Sequence, residues 1–454
     1  MALSNSLSGL IAAGKAIDVI ANNIANSNTI GFKSSIARFT NVAAAGKGSG
    51  PADSAASAGV SADNVFQSFD QGRMEGTNNP LDMAINGQGF FRLYNPETGK
   101  ITYTRDGQFR ISIEGNTPET RVTRLVTRTG LSLTGNLPDF GTDPFGVLDT
   151  VPTPAPVIIN DTFPAQQTSL VNLSFNLDPR ENLPTSPFVP LDANTYNAST
   201  SVRVFDSTGD PHELRMYFRS TGAGNAWEVY STMDYNSGTI AHTGPDTLNF
   251  DTSGRLATPM PLAGHAYTTF VPATNTTPPT PATTGSLTIA IDFTGTSQLG
   301  TPFSVNALSQ NGYTKGEIPD AYSFSVLPDG HVSARYSNGQ RRNVAQVVLA
   351  NFANPNALIN TGDNQWVTND DPDKGTGQIS LGFPNFATEN VGFRNSSLAE
   401  GMGSIQGFAR EQSNVDLGTQ LVALIEQQRN YQASAQTFKI LDQVLQNLAN
   451  MRSN

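Results

Sequence analysis

The chain has 454 residues, of which 27 are basic and 38 are acidic, so its net charge at neutral pH is −11. An acidic balance argues against nonspecific binding to nucleic acid or to an anionic membrane surface. Cysteine is absent, which excludes disulfides, thiolate catalysis and cysteine-based metal sites. The length is enough for two or three domains.

The sequence predicts neither a membrane span nor a cleaved secretory signal. No run of roughly 18 apolar residues occurs anywhere in the chain. The first residues lack a basic segment, a continuous apolar core and a small-residue cleavage site. If the chain leaves the cytoplasm, we expect it to do so without losing a signal peptide.

The first 30 residues predict an amphipathic helix that ends in a turn. Apolar or small residues recur at alternating spacings of four and three, and Asn26 and Gly31 are typical of a helix end. The small residues Gly14 and Ala21 would let a partner approach closely. The stripe consists of Leu3, Leu7, Leu10, Gly14, Ile17, Ala21 and Ile24.

Residues 41–64 are small and polar with little periodicity. Such a composition is typical of an extended linker or of a disordered segment. We therefore expect linkers at 31–75 and, before the C-terminal helix, at 399–412.

The middle of the chain predicts β-structure from Leu81 onward. Residues 165–310 alternate apolar and polar positions and predict an all-β domain of antiparallel strands, for example Val171, Leu173, Phe175 and Leu177 on one face. Four dipeptides stand between strand-like runs and predict hairpins. They are Asn86-Gly87, Asp106-Gly107, Asp329-Gly330 and Asn338-Gly339.

The last forty residues, from Ser413, predict one helix about 55 Å long at 1.5 Å per residue. Ser413 followed by Asp416 matches a capping box. The apolar stripe contains Leu417, Leu421, Leu424, Gln428, Tyr431, Ala435, Phe438, Leu441, Leu445 and Leu448.

Neither terminal helix can bury its stripe alone. We expect the two to lie along each other as a coiled-coil-like core, the alternative being that each packs on its own globular domain. The predicted fold class is α+β and multidomain, with two mainly antiparallel β domains nested between the helices.

Patterns that could carry chemistry lack their required context. Gly9 to Lys15 has the spacing of a phosphate-binding loop, but Ala16 replaces the hydroxyl residue and no strand precedes it. Asp371 and Asp373 lack the central glycine and terminal glutamate of a calcium loop. The histidines are widely spaced, at His212, His242, His265 and His331. We expect no enzyme, no cofactor and no metal site.

Several multi-residue runs resemble the bacterial flagellar axial proteins, the rod, hook and hook-associated family. They are ANNIANSNTIGFK at 21–33, LDMAINGQGFF at 81–91, YTRDGQF at 103–109, SNVDL at 413–417 and QQRNYQASAQ at 427–436. The run at 312–340 and VFDSTGDPHEL are similar to the hook branch, whereas rod proteins usually lack such an inserted middle domain. The motif residues are Asn22, Asn23, Asn26, Gly31, Phe32, Asn414, Asp416, Gln428 and Arg429.

The resemblance implies a structural subunit that polymerises into a curved tube, the universal joint that transmits torque from rod to filament and encloses the export channel. It implies an extracellular location, continuous with the basal body, after type III export without signal cleavage. The implied partners are further copies of the chain, the rod, hook cap and hook-filament junction proteins, and the export apparatus. Neither nucleic acid nor membrane insertion is implied.

The resemblance also implies a layered organisation. We expect a helical core at 1–30 and 413–454, linkers at 31–75 and 399–412, an inner β domain at 76–164 and 311–398, and an outer β domain at 165–310. Alternatives are a distal rod or hook-filament junction subunit and a non-polymeric binding module with stalk helices. The expected assembly core is Leu3, Leu7, Leu10, Ile17, Ile24, Leu417, Leu421, Leu424, Tyr431, Phe438, Leu441, Leu445 and Leu448.

Overall fold

The computed structural model describes residues 2–43, 57–114, 122–139, 147–148, 154–190, 192–222, 225–233, 242–270, 284–319, 321–369, 379–382 and 402–452. The chain forms two compact units. The first comprises Met1–Asn160, Pro319–Arg335 and Arg341–Asn454, and the second comprises Asp161–Ile318 with Tyr336–Gln340.

The first unit begins with α1 (Ala2–Ala25), followed by β1 (Ser35–Ala43), β2 (Ser57–Gln67), β3 (Met74–Gly76), β4 (Met83–Asn86), β5 (Phe90–Tyr94), β6 (Ile101–Thr104), β7 (Arg110–Glu114), β8 (Val122–Val126), β9 (Ser132–Asn136), β10 (Pro138–Asp139), β11 (Val147–Leu148), β12 (Ala155–Pro156) and β13 (Ile158–Ile159). The second unit contains β14 (Thr162–Phe163), β15 (Leu170–Leu177), β16 (Ala198–Phe205), β17 (Pro211–Ser220), β18 (Ala226–Met233), β19 (His242–Asn249), β20 (Leu262–Phe270), β21 (Thr284–Asp292), β22 (Ser297–Gln298), β23 (Ser304–Gln310) and β24 (Gly316–Glu317). The first unit then resumes with β25 (Phe324–Val326), β26 (His331–Arg335), β27 (Arg341–Val347), β28 (Leu349–Phe352), β29 (Ile359–Gly362), β30 (Gln365–Val367), β31 (Ile379–Gly382), β32 (Ser404–Gly407), β33 (Ala409–Glu411) and α2 (Leu417–Arg452). Short 3-10 turns lie at Ala193–Thr195, Ala321–Ser323 and Pro355–Ala357.

The first unit is built on a large sheet that joins strands from both halves of the chain. Its main path runs β25-β26-β27-β9-β5-β6-β30-β29. Part of its core is a group of aromatic rings in edge-to-face contact, such as Phe90 and Trp366 with ring centroids 5.7 Å apart. The hairpins predicted at Asp329-Gly330 and Asn338-Gly339 are confirmed, because β25, β26 and β27 pair in sequence.

The hairpins predicted at Asn86-Gly87 and Asp106-Gly107 are wrong. The strand β4 pairs with β32 instead of β5, and β6 pairs with β5 and β30 while β7 pairs with β8. The backbones of Gly107 and Met83 are in close contact, because the Met83 N–H donates to the Gly107 carbonyl at 2.9 Å. A Cβ added at Gly107 would overlap the carbonyl oxygen of Met83. The glycine therefore serves a close approach between backbones rather than a tight turn.

The second unit is a pair of sheets around one apolar core. One sheet has the order β16-β17-β18-β19, and the other runs β20-β21-β15-β22 with β23 on the far side of β15. The predicted alternation in β15 is confirmed, since Val171, Leu173, Phe175 and Leu177 are all buried. Most pairings in this unit are antiparallel, as expected, and the exception is β15, which runs parallel to β21 and β22.

The segments expected to be linkers contain paired strands in their described parts. The strands β1 and β2 form an antiparallel ribbon, β3 pairs with β33, and β4 pairs with β32. The last two pairings join the beginning of the chain to its end, so the roots of the two helices emerge from one strand-paired region of the first unit.

The helix α2 begins later than predicted. It starts at Leu417, and Asp416 is its N-cap, with one carboxylate oxygen accepting from the Thr419 N–H at 2.9 Å. This bond lowers the pKa of Asp416 below its usual value. Ser413 lies outside the helix, where its hydroxyl accepts from the Val415 N–H at 3.3 Å, so the predicted capping box does not form.

Candidate assembly site

The helices α1 and α2 pack against each other. Near the helix roots, the Asn23 side-chain amide donates to the Gln420 side-chain oxygen at 3.1 Å. Farther along, a Cβ added at Gly9 would lie 3.5 Å from the Ser434 hydroxyl. The face of α1 that carries Gly9 also carries its fully buried residues, Ala12, Ala13, Ala16 and Asn23.

This contact uses a different face of α1 from the predicted leucine stripe. At 3.6 residues per turn, Leu10 and Ile17 lie roughly a third of a turn or more around the helix from Ala12 and Ala16. In the isolated chain Leu10, Ile17 and Ile24 are half-buried and Leu7 is 43% exposed. The expected role of Gly14 in close approach is wrong here, because a Cβ added at that residue meets no atom within 4 Å.

The predicted residues of α2 lie along one broad face of the helix but differ in exposure. Leu424, Phe438 and Leu441 are half-buried, on the side of Gln420 and Ser434. The exposed residues are Leu417, Leu421, Tyr431 and Leu445, together with the motif residues Gln428 and Arg429. Leu3 and Leu448 lie in the helices, but their side chains are outside the described residues.

A second apolar stripe on α2, absent from the sequence-based expectation, faces away from α1. Val422, Ile425, Ile440 and Val444 recur at helical spacing on the side opposite Gln420 and are 67%, 52%, 60% and 48% exposed. We call these four residues the outer stripe. An apolar stripe of this kind on a solvent-facing helix is typical of an interaction surface.

The asparagine motif at the end of α1 forms a local hydrogen-bond network. Asn26 donates from its side chain to the Asn22 side-chain oxygen at 2.9 Å. The Asn23 side-chain oxygen accepts from the Ser35 N–H at 2.9 Å, and the Asn23 side-chain amide donates to the Ser35 carbonyl at 2.8 Å. These two bonds fix the start of β1. These contacts satisfy backbone groups where the helix stops.

Below the helices, three buried ionic side chains join segments that are far apart in sequence. The Lys33 ammonium lies 2.7 Å from Oε1 of Glu411, and both side chains are fully buried. The same oxygen accepts from the Gly72 N–H at 2.7 Å, and Lys33 also donates to the Asp70 carbonyl at 2.7 Å. Nε of Arg105 is 3.6 Å from Oε2 of Glu411. We call Lys33, Arg105 and Glu411 the clasp.

Three motif residues complete the surroundings of the clasp. Gly31 adopts φ = 68° and donates its N–H to the Glu411 main-chain carbonyl at 2.8 Å. A side chain there would be strained and would lie 2.6 Å from the Asp106 nitrogen. Asn414 accepts from the Ser34 N–H at 2.7 Å, and Phe32 is buried beside these contacts.

Burial dominates the electrostatics of the clasp cations. Desolvation lowers the pKa of Lys33 below its usual value, while the neighbouring Glu411 carboxylate opposes that shift. Desolvation also lowers the pKa of Arg105. Lys33 and Arg105 lie inside the family motifs, but the sequence did not predict their ion pairs with Glu411. Glu411 is 378 residues from Lys33 and belongs to no recurring pattern.

The described residues contain no group of three His, Asp or Glu side chains that could hold a metal ion. Residues 9–15 lie inside α1, so the phosphate-loop spacing there is helical. Asp371 and Asp373 are outside the described residues. His265 lies 2.6 Å from Asp246, and His331 lies 2.8 Å from Asp329. None of the described helices is long and apolar enough to span a membrane.

Family models for flagellar axial proteins match four parts of the chain in order. They are "Flagella basal body rod protein" at 3–33, "Flagellar hook protein FlgE/F/G D1 domain" at 84–161, "Flagellar basal body protein FlaE D2 domain" at 176–313 and "Flagellar basal body rod FlgEFG protein C-terminal" at 405–451. These matches define the class: an axial structural protein of the bacterial flagellum.

Comparison with individual relatives narrows this class. The chain is 36% identical to the flagellar hook protein FlgE of Escherichia coli strain K12 over 457 residues, with 100% of each chain covered. It is 35% identical to that of Salmonella typhimurium, again with 100% of each covered, and 30% identical to that of Rhizobium meliloti, with 99% and 98% covered. The chain belongs to the flagellar hook protein FlgE family. Its function is therefore that of a structural subunit of the hook.

Proposed function

We propose that copies of this chain polymerise through the outer stripe of α2 and the leucine stripe of α1 into the curved tube of the flagellar hook. In this arrangement the paired helices line the export channel and the β units form the outer layers. The tube transmits torque from rod to filament as a universal joint.

The observation that carries this proposal is the outer stripe. The helix α2 has 36 residues, or about 54 Å at 1.5 Å per residue, and α1 covers only one of its sides. Val422 and Ile440 are more exposed than the half-buried Leu424 and Phe438 on the side of α1. A helix that is apolar on two sides is suited to contact two neighbours.

The leucine stripe of α1 supplies a second, partly exposed surface of different composition. A contact between two different surfaces on successive copies can repeat indefinitely, and it gives a helical polymer when its rotation does not close into a ring. Burying the remaining exposed half of one Leu or Ile side chain contributes roughly 1 kcal/mol. Several such side chains on each copy would favour association, while the clasp and the sheets remain intact within each copy.

The proposal also includes the expected domain layers, the protein partners and the export pathway. We propose four layers, with the helices as core, 31–75 and 399–412 as their connections, 76–164 and 311–398 as inner β domain, and 165–310 as outer domain. The rod, hook cap and hook-filament junction proteins would contact the ends of the polymer. Export would proceed through the type III apparatus without signal cleavage, to the outside of the cell.

A distal rod or hook-filament junction subunit is the alternative within the flagellum. The D2 match at 176–313 and the full-length relatives named as hook proteins support the hook. A non-polymeric binding module with stalk helices would not explain the exposed apolar residues of the outer stripe.

The test is polymerisation of purified chain, followed by sedimentation and electron microscopy. We expect Val422→Asp and Ile440→Asp to abolish tubes, because each would place an unpaired charge in an apolar contact. Thermal unfolding of the monomer should be unchanged, since both side chains are already exposed.

Asn430→Asp is the matched control, because it adds the same charge at an exposed position of α2 away from the outer stripe. It should polymerise like the unaltered chain. Tubes of normal length from both outer-stripe variants would refute this mode of assembly.

A further inference from the structure

The clasp holds two buried cations against one carboxylate. The side chains of Lys33 and Glu411 are 0% exposed and that of Arg105 is 3% exposed. Among the described residues, Glu411 supplies the carboxylate within ion-pair distance of both cations. Nε and Nη1 of Arg105 and Oε2 of Glu411 have no hydrogen-bond partner there. The cluster therefore carries a net charge of +1, with Glu411 as its common counter-ion.

We propose that Glu411 is a positioning residue for assembly, which sets the root of α1 against the root of α2. This rests on the proposed function, because it assigns a cause to the helix geometry that polymerisation uses. Glu411 lies five residues before the N-cap Asp416, and its main-chain carbonyl accepts from Gly31, six residues after the end of α1. Glu411 is therefore linked to the roots of both helices.

The charge count makes the two ends of the ion pair unequal. Replacing Glu411 by the nearly isosteric Gln removes the carboxylate that lies within ion-pair distance of both cations, although Gly72 keeps an acceptor and the more distant Asp70 carboxylate still attracts Lys33. Replacing Lys33 by Met leaves Arg105 and Glu411 as a balanced pair. Since unpaired buried charges cost far more than a lost neutral contact, Glu411→Gln should be much the more disruptive change.

A hydrogen-bond path connects the clasp to an intrinsic fluorophore in the same unit. The Gln67 side-chain amide donates to the Lys33 carbonyl at 3.2 Å, and its oxygen accepts from Nε1 of Trp366 at 2.8 Å. Trp366 is fully buried. The second tryptophan, Trp227, lies in the other unit, so a Trp227→Phe background isolates the signal of Trp366.

The experiment compares the full chain with Glu411→Gln, Lys33→Met and the double variant. In monomers, amide exchange at Gly31 and Ser34 and the emission of Trp366 report on the clasp. We expect Glu411→Gln to speed exchange by at least about 100-fold and Lys33→Met by less than about 10-fold. The double variant should exchange more slowly than Glu411→Gln alone, because one unpaired cation has been removed. A role through shape alone would give additive effects instead.

Polymerisation of the same proteins completes the test. The critical concentration should rise more than about 10-fold for Glu411→Gln and less for Lys33→Met. The inference would be overturned if the two single variants had equal effects on amide exchange, or if the double variant exchanged as fast as Glu411→Gln. An open clasp with unchanged polymerisation would also overturn it, and would leave the proposed function standing. Failure of the unaltered chain to polymerise would instead count against the proposed function, and monomer exchange would still decide the charge asymmetry. If Glu411→Gln unfolds the first unit altogether, recovery in the double variant remains the deciding comparison.

Discussion

At the scale of single residues, Gly107 shows a glycine that is needed where two backbones meet. Gly107 follows Asp106 in a dipeptide typical of hairpins, yet its neighbour is Met83 on a strand that pairs elsewhere. The residue type was informative, but its local interpretation as a turn was wrong. The required feature is the absence of a side chain at a crossing of chain segments.

Gly107→Ala should lower the free energy of unfolding of the first unit by about 1–3 kcal/mol, because its Cβ would overlap the Met83 carbonyl and force the backbone to shift. Denaturant unfolding followed by Trp366 emission measures the change. Gly76→Ala is the control, since its added Cβ would lie 3.8 Å from the Phe408 carbonyl, an ordinary contact. Equal stability of the two variants would contradict this account.

At the scale of elements, local patterns predicted what local contacts decide. The alternation in β15 and the turns before and after β26 follow from neighbouring residues, and both are confirmed. The pairing of β4 with β32 and the parallel placement of β21 beside β15 depend on partners more than 100 residues away, which periodicity does not encode. The clasp was missed for the same reason.

For the two helices, the sequence pattern predicted their presence but not which face of α1 contacts α2. Heptad spacing predicted two long helices, and α1 and α2 are present. The face of α1 against α2 is instead its small-residue side, because Gly9 and the buried alanines allow close approach. Whether the leucine stripe forms the assembly core stays a prediction.

Trypsin should distinguish the helices from the clasp in the monomer. We expect cleavage at Arg429 and Lys439, which lie on an exposed helix packed on one side only, and at Lys15 in α1. Lys33 should resist, because its ammonium is fully buried. Mass spectrometry of the fragments gives the order of cutting, and the assembled polymer is the control in which Lys439 becomes protected. Early cleavage after Lys33, or intact helices in dilute monomer, would argue against this order of stability.

At the scale of the whole molecule, the second unit has the properties of an insertion. Its main segment is continuous, Asp161–Ile318, and its two ends meet, because the Ile318 N–H donates to the Asp161 carbonyl at 3.1 Å. A segment whose ends are adjacent can be removed with little effect on the unit that carries it.

Replacing residues 161–318 by a short Gly/Ser linker should leave polymerisation intact, since the clasp and both helices lie in the first unit. The curvature or stiffness of the tube should change, because the outer layer is lost. Electron microscopy of variant and unaltered polymers, grown under the same conditions, measures both. Unchanged curvature would remove the mechanical role of the second unit. Failure to assemble with a folded first unit would assign it the cohesion of the polymer.

The pairing of β3 with β33 and of Lys33 with Glu411 also fixes an order in which the chain acquires structure. Contacts between residues hundreds of positions apart carry a large loop-closure entropy and form late. The second unit draws almost all its strands from one continuous stretch, so it can fold while the far end of the chain is still missing. The first unit can close only after residues 404–416 arrive, which keeps its helices from becoming anchored until the chain is nearly complete.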